Sequence, residues 1–301
     1  MASRVVLPGP HGAAMRRAGR SMCSAWGGAC VRHARARACA RHGARAGVDS
    51  RRRPPTPRRA RRLADGKLVV VKEIKTTALT AKQKAATMDE VEVLAKLDHP
   101  NIVHYHDCFM DEVYINIVME YCDGGDLTGL IRRRRGERLP EDEVMAKFVQ
   151  VVLALQYTHA QGVLHRDLKP SNVLVTSSGL LKLGDFGVSK ISSTDASMAS
   201  TIVGTPHYLS PEMCDNKPYG RKSDVWALGC ILVELTTLQK AFDSSSISKI
   251  ILSIMGGRHT PVPEDYSPEL RGLAAALLQV DPAARPAAHE ILQMPYVRCG
   301  R

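Results

Sequence analysis

The chain has 301 residues, 44% of them hydrophobic, enough for a real core in one two-lobed domain or two small ones. Its net charge of +12 suggests a nucleic-acid binder only until it is divided: residues 1–62 hold 16 of the 42 Lys and Arg and one acid, Asp49, so this tail carries +15 and the remainder −3. The tail does not interleave aromatics with its arginines, and no apolar run approaches the ~20 residues that cross a bilayer, so neither a specific nucleic acid nor a membrane is expected as a partner.

Residues 1–62 are rich in Arg, Ala, Gly and Pro without periodicity. Around Arg51–Arg59 like charges repel and prolines lack backbone donors, so 1–62 reads as a disordered tail and 63–301 as the folded part. An Arg-rich, acid-poor leader also fits an organelle transit peptide, though Gly and Pro interrupt the helix that one needs. Asp65-Gly66 is a turn signal, and Leu68–Ile74 is a β-branched strand. Residues 80–97 read as a helix ending before Asp98-His99-Pro100, with Val91, Val93 and Leu94 on its apolar face. Strands follow around Ile102–Cys108 and Tyr114–Glu120. His104, His106 and Cys108 alternate as strand residues do, which accounts for them better than a metal site. After Gly124-Gly125 the pattern turns helical. Pro140 and three acids open a helix that buries Val144, Phe148, Val152 and Leu155. Ser223-Asp224 opens an apolar helix to Leu238, Ser245–Met255 forms another, and Ser267-Pro268 starts a third. Strands first and helices afterwards give an α+β plan of two lobes, 63–122 and 123–301, with a hinge near Glu120–Gly125. The eight cysteines contain no C-x-x-C pair, which points to a reducing compartment and to cytoplasmic residence.

Chemistry concentrates in His165-Arg166-Asp167-Leu168-Lys169-Pro170-Ser171-Asn172 and in Asp185-Phe186-Gly187. The first block offers a base for a hydroxyl nucleophile and a metal-binding amide; the second offers a metal-binding carboxylate. Phosphoryl transfer needs ATP held in line, metal ions that offset charge on its phosphates, and a group that orients the attacking hydroxyl. Asp167 is the candidate base, with Lys169 beside it for the γ-phosphate. Asn172 and Asp185 are candidate Mg²⁺ ligands, since this hard ion prefers oxygen. Val70-Val71-Lys72 resembles the Val-Ala-Ile-Lys block of protein kinases, which implies that Lys72 contacts the α- and β-phosphates. Glu90 is its candidate ion-pair partner, ahead of Asp89 and Glu92. Asp126 either reaches the ribose or caps the helix that follows.

Together with Ser210-Pro211-Glu212 these blocks resemble the eukaryotic protein kinase domain. Lys182–Lys190, Ser223–Cys230 and Tyr266–Leu270 resemble the NIMA-related Ser/Thr kinases over about Ala64–Val297. The resemblance implies the two-lobed kinase fold, ATP and Mg²⁺ as cofactors, and protein Ser/Thr hydroxyls as substrates. Met119, Glu120 and Cys122 would then form the hinge that holds adenine. Thr201–Glu212 would end the activation segment, with Thr201, then Ser200, as the activating phosphosite and Arg166 as its partner. Glu212 and Arg285 would form a buried ion pair. Cell-cycle, centrosome or cilium partners follow by family analogy alone.

The chain departs from the family before Lys72, where a Gly-x-Gly-x-x-Gly hairpin should cover the phosphates. No glycine lies between Gly47 and Gly66. The first strands of the small lobe are therefore expected to be missing, leaving an open sheet edge. Three readings fit: an incomplete kinase sequence, a weakly active enzyme, or a catalytically inactive scaffold of kinase fold. Retention of Lys72, Glu90, Asp167, Asn172 and Asp185 speaks against the scaffold.

Overall fold

The structure, a computed structural model, describes residues 5–6, 58–63, 65–77, 79–111, 113–186 and 206–299, without the side chains of residues 5, 6, 82, 86, 89, 90 and 299. The chain divides into two compact units, Met1–Ala78 with Tyr105–Tyr121 and Leu79–His104 with Cys122–Arg301. The first is built on a sheet and the second mainly on helices, an α+β arrangement.

In the first unit, β1 (Val5–Val6), β2 (Arg58–Arg62), β3 (Leu68–Lys75), β4 (Tyr105–Met110) and β5 (Tyr114–Glu120) form one antiparallel sheet in the order β1-β2-β3-β5-β4. The sheet keeps five strands, which corrects the expectation that its first strands are missing. It also moves Arg58–Arg62 out of the expected tail. Like charge argues against packing, but a strand is held by its backbone. Ala60 pairs with Val69 and is buried with Val69, Val71 and Val118 against Phe109. The arginines around it keep their charges at the surface with local partners: Arg58 lies 3.6 Å from Glu73, and Arg62 Nε donates to Asp65 Oδ1 at 2.8 Å. The β2–β3 turn falls at Asp65-Gly66, as the dipeptide predicts; Gly66 has φ +69°, a region costly for any residue with a Cβ.

The second unit begins with α1 (Ala81–Ala95), which Thr80 and Gln83 cap reciprocally. Among its described side chains the buried ones are Thr87, Val91 and Leu94, at helical spacing. Val93, expected on that face, is 45% exposed, because one residue's turn from Leu94 carries it to the solvent side. The short strands β6 (Gly125–Asp126), β7 (Val173–Val175) and β8 (Leu181–Leu183) form a second antiparallel sheet. Between β6 and β7 run α2 (Leu127–Arg133) and α3 (Glu141–Ala160). The latter buries Val144, Phe148, Val152 and Leu155 as its periodicity predicts.

After β8 come α4 (Pro211–Cys214) and α5 (Arg221–Thr237). Every residue of α5 from Ser223 to Thr236 is buried, so it is the helix around which the unit packs. Among the described residues the remaining α-helices are α6 (Ile247–Met255), α7 (Pro268–Leu277), α8 (Ala288–Ile291) and α9 (Pro295–Cys299). Ser246 and Ser267 cap α6 and α7 by accepting from Lys249 N–H at 3.3 Å and Leu270 N–H at 3.1 Å.

Candidate active site

The chemistry-bearing loop lies in the second unit between α3 and β7, and α5 fixes it. Asp224, in the first turn of α5, is fully buried and accepts four hydrogen bonds. Backbone N–H groups of His165 and Arg166 donate at 3.1 and 3.2 Å, His159 Nε2 donates at 2.8 Å, and the Tyr219 hydroxyl completes the set. Burial pushes the Asp224 carboxyl up. The hydrogen bonds from His159 and the Tyr219 hydroxyl outweigh this and hold it below the ordinary carboxylate range. Burial, with Asp224 alongside, raises the Tyr219 phenol well above its usual range, so it remains a donor. Arg166 sits at φ +65°, a conformation disfavoured for an L-residue and held here by the N–H bonds to Asp224.

His165 couples this loop to the segment after β8. Its Nδ1 accepts from Asp167 N–H at 3.2 Å, and its Nε2–H donates to the Gly184 carbonyl at 3.0 Å. Acceptance at Nδ1 requires the neutral ring, and complete burial lowers the imidazole's pKa accordingly. The Phe186 ring packs on it at 4.7 Å. Gly184 N–H donates to the Asn172 carbonyl at 2.9 Å, and a Cβ on Gly184 would lie 2.9 Å from Val103 Cγ2, so only glycine fits that approach. Asp185 follows at φ +53°.

The predicted cluster around Asp167 is brought together. Lys169 Nζ lies 2.7 Å from Asp167 Oδ2. Asn172 Nδ2 donates to the same oxygen at 3.0 Å and to the Asp167 carbonyl at 2.7 Å. With its nitrogen committed to Asp167, Asn172 keeps its amide oxygen for another partner. That oxygen and the Asp185 carboxylate are hard donors of the kind that hold Mg²⁺, so the residues present fit the ion.

The other predicted residues divide between the units. Lys72 lies in β3 opposite Ile117, and Met119 and Glu120 end β5, all in the first unit. Cys122, buried, and Asp126 belong to the second. Asp126 caps α2, with Oδ1 accepting from Gly129 N–H at 2.7 Å. Glu90 lies on α1, but its side chain is outside the described residues, as are Ser200, Thr201 and Gly187 altogether. Sequence reasoning missed the role of Asp224 and its donors His159 and Tyr219. The available signal was an acid at the head of the uncharged run Val225–Val233.

Below the loop, Glu212 and Arg285 form the expected buried pair: Nη1 to Oε1 at 2.9 Å and Nη2 to Oε2 at 2.8 Å. Ser223 Oγ adds a third bond to Glu212 at 2.6 Å. Pro206–Tyr208 form a 3-10 turn leading to Ser210-Pro211-Glu212; the Tyr208 hydroxyl donates to Glu234 at 2.7 Å.

An Asp-Lys-Asn cluster linked through His165 to the segment Gly184-Asp185-Phe186, with a buried ion pair after it, is the arrangement of a protein kinase domain. The sequence matches the protein kinase domain over residues 56–297, and the chain belongs to this family, in its NIMA-related serine/threonine branch. It is 42% identical to the serine/threonine-protein kinase Nek1 of Mus musculus, over 77% of this chain and 19% of the relative. It is 44% identical to Nek8 of Danio rerio, over 77% and 33%, and 41% identical to Nek5 of Homo sapiens, over 78% and 33%. The chain therefore spans a fifth to a third of the length of these curated relatives.

Proposed function

We propose that this chain transfers the γ-phosphate of ATP to Ser and Thr hydroxyls of proteins. The observation that carries the reading is the contact of Asp167 with both Lys169 and Asn172. Asp167 accepts the proton of the attacking hydroxyl and orients its oxygen. Lys169, 2.7 Å away, places a cation where charge develops on the transferred group. Bound Mg²⁺ supplies charge neutralisation on the phosphates, and Asn172 and Asp185 would hold it. Lys72 contributes a cation for the α- and β-phosphates. Thr201 is the proposed activating phosphosite, with Ser200 second and Arg166 as partner. Cytoplasmic residence, and partners from the cell-division machinery, centrosome or cilium, belong to the same proposal through family analogy.

One observation favours a second reading, a nucleotide-binding scaffold without transfer: the sequence has no Gly-x-Gly-x-x-Gly before Lys72. The test is phosphate transfer from labelled ATP to a generic Ser/Thr substrate, beside Asp167→Asn. Transfer should fall by at least about 10³-fold in the variant while Mg·ATP affinity stays nearly unchanged. A folded parent chain that binds Mg·ATP and transfers nothing would establish the scaffold.

A further inference from the structure

We propose that an open cleft between the end of α2 and the end of α5 docks an acidic peptide segment of a protein substrate; the word substrate rests on the kinase reading above. The cleft holds about 580 Å³ and is lined by Ile131, Arg132, Arg135, Arg138, Leu238 and Gln239. Its basic wall is Arg132 and Arg135, the two ends of the run Arg132-Arg133-Arg134-Arg135, with Arg138 shortly after. One or two cations in a last turn offset the negative end of a helix, and four in succession exceed that need.

The arginines separate into two groups. Arg133 donates to the Gly124 carbonyl at 3.5 Å, ahead of β6, and Arg134 donates to the carbonyls of Glu137 and Arg138 at 3.1 and 3.2 Å, in the turn after α2, so both are engaged. Arg138 pairs with Asp265. Arg132 and Arg135 are exposed, and among the described residues their guanidinium groups have no hydrogen bond or ion pair. Arg135 also sits at φ +52°, ahead of Gly136 at +95°. A left-handed arginine costs on the order of 1 kcal/mol, and the bond it makes here is a long one from its backbone, Arg135 N–H to the Arg132 carbonyl at 3.4 Å, which leaves the guanidinium uncommitted.

Two unpaired guanidinium forks call for carboxylates. Leu238, partly exposed, offers apolar surface to a peptide side chain, and no aromatic ring lines the cleft for base stacking, which favours an acidic peptide over single-stranded nucleic acid. The position suits a substrate. Gln239 precedes Lys240, whose ammonium bonds Glu234 at 2.8 Å and lies 4.9 Å over the Tyr208 ring. Tyr208 belongs to the segment expected to carry the substrate peptide. Each exposed ion pair is weak and screened by salt, so the preference should be about three- to tenfold at low ionic strength and fade as salt rises.

The experiment uses the full chain and two labelled peptides, each with a Ser acceptor joined by a flexible spacer to four glutamates or to four glutamines. Fluorescence anisotropy without ATP should show about three- to tenfold tighter binding of the glutamate peptide. Arg132→Ala with Arg135→Ala should erase the difference without changing the thermal melt, since both side chains are exposed. Equal affinities for the two peptides would overturn the proposal, as would a preference that survives in the double variant. Tighter binding of an oligouridylate than of the glutamate peptide would also overturn it. The transfer assay separates the two readings. Preference without transfer defeats the kinase and keeps the docking site; transfer with equal KM for both peptides does the reverse.

Discussion

Two buried carboxylates of the second unit, Glu212 and Asp224, solve the same problem differently. Glu212 is neutralised by a full charge: Arg285 meets it with two parallel bonds, and burial of the carboxyl is outweighed by that guanidinium and by Ser223. Asp224 meets no arginine and is satisfied by two backbone N–H groups, an imidazole and a phenol. The first arrangement joins segments distant in sequence and serves stability. The second shapes a loop, because two of its donors are the backbone of His165 and Arg166. A buried ion pair resists loss of either partner; a ring of dipoles around one carboxylate sets geometry.

The largest effect should come from breaking the ion pair. Arg285 is 1% exposed, donates also to the carbonyls of Gln279, Lys222 and Val280, and lies 4.9 Å from the centre of the Trp226 ring. Arg285→Ala should destabilise the chain by about 3–5 kcal/mol in urea unfolding, because it strands a buried carboxylate and three carbonyls. Replacing both partners, Glu212→Leu with Arg285→Met, should recover only part of this, since the three carbonyls remain unsatisfied. Full recovery would mean that the pair itself, and not the carbonyl network, sets the cost.

Asp224→Asn should cost less stability and more activity. An amide keeps one acceptor but turns an NH₂ toward groups that donate. The Tyr219 hydroxyl and His159 can reverse roles, whereas a backbone N–H cannot. The expected cost is about 1–3 kcal/mol. Transfer should fall by about 10²-fold, because the loop carrying Asp167 loses its anchor beneath Arg166 at φ +65°. Assays of kcat beside a thermal melt decide it: a melt lowered as far as in Arg285→Ala, with activity intact in the surviving folded protein, would erase the contrast between the two carboxylates.

That contrast also marks what could be read in advance. Elements with a clean period or a defined turn dipeptide were legible: α3, the strands β3 and β5, and the Asp65-Gly66 turn. So was the Asp167-Lys169-Asn172 cluster, whose members lie close enough in sequence to meet within one loop. The strand Arg58–Arg62 was not, because its charges describe its solvent side while backbone pairing and one methyl, that of Ala60, hold it. Asp224 was legible as the head of a helix and not as an anchor, since its partners come from α3, the catalytic loop and Tyr219. Contacts of that range leave no local period. The Arg132–Arg135 run drew no reading, because a charge run on a helix end is normally just solvated.

The smallest effect is one of pH, and it probes the same anchor from the His165 side. Full burial lowers the pKa of His165 below its ordinary 6.5, and the bond its Nδ1 accepts from Asp167 N–H needs the neutral form. The unfolded chain therefore binds a proton near pH 6.5 that the folded chain refuses, so acidification favours unfolding. The stability from this group is fully present above pH 6.5 and is lost as pH falls below it. The carboxyls of Glu212 and Asp224, held below 4.5 and 3.8, enter only in stronger acid. His99, lowered by burial and by Lys182, moves in the same direction to a smaller extent because it is partly exposed. Between pH 7.5 and 5.5 the buried imidazole should account for about 1 kcal/mol of lost stability. His165→Phe, which keeps a flat ring against Phe186, should be less stable at pH 7.5 and should flatten the pH dependence by that amount. An unchanged slope would mean that His165 takes up its proton in the folded chain, and then the Gly184 and Asp167 bonds could not both tie the catalytic loop to the Asp185 segment.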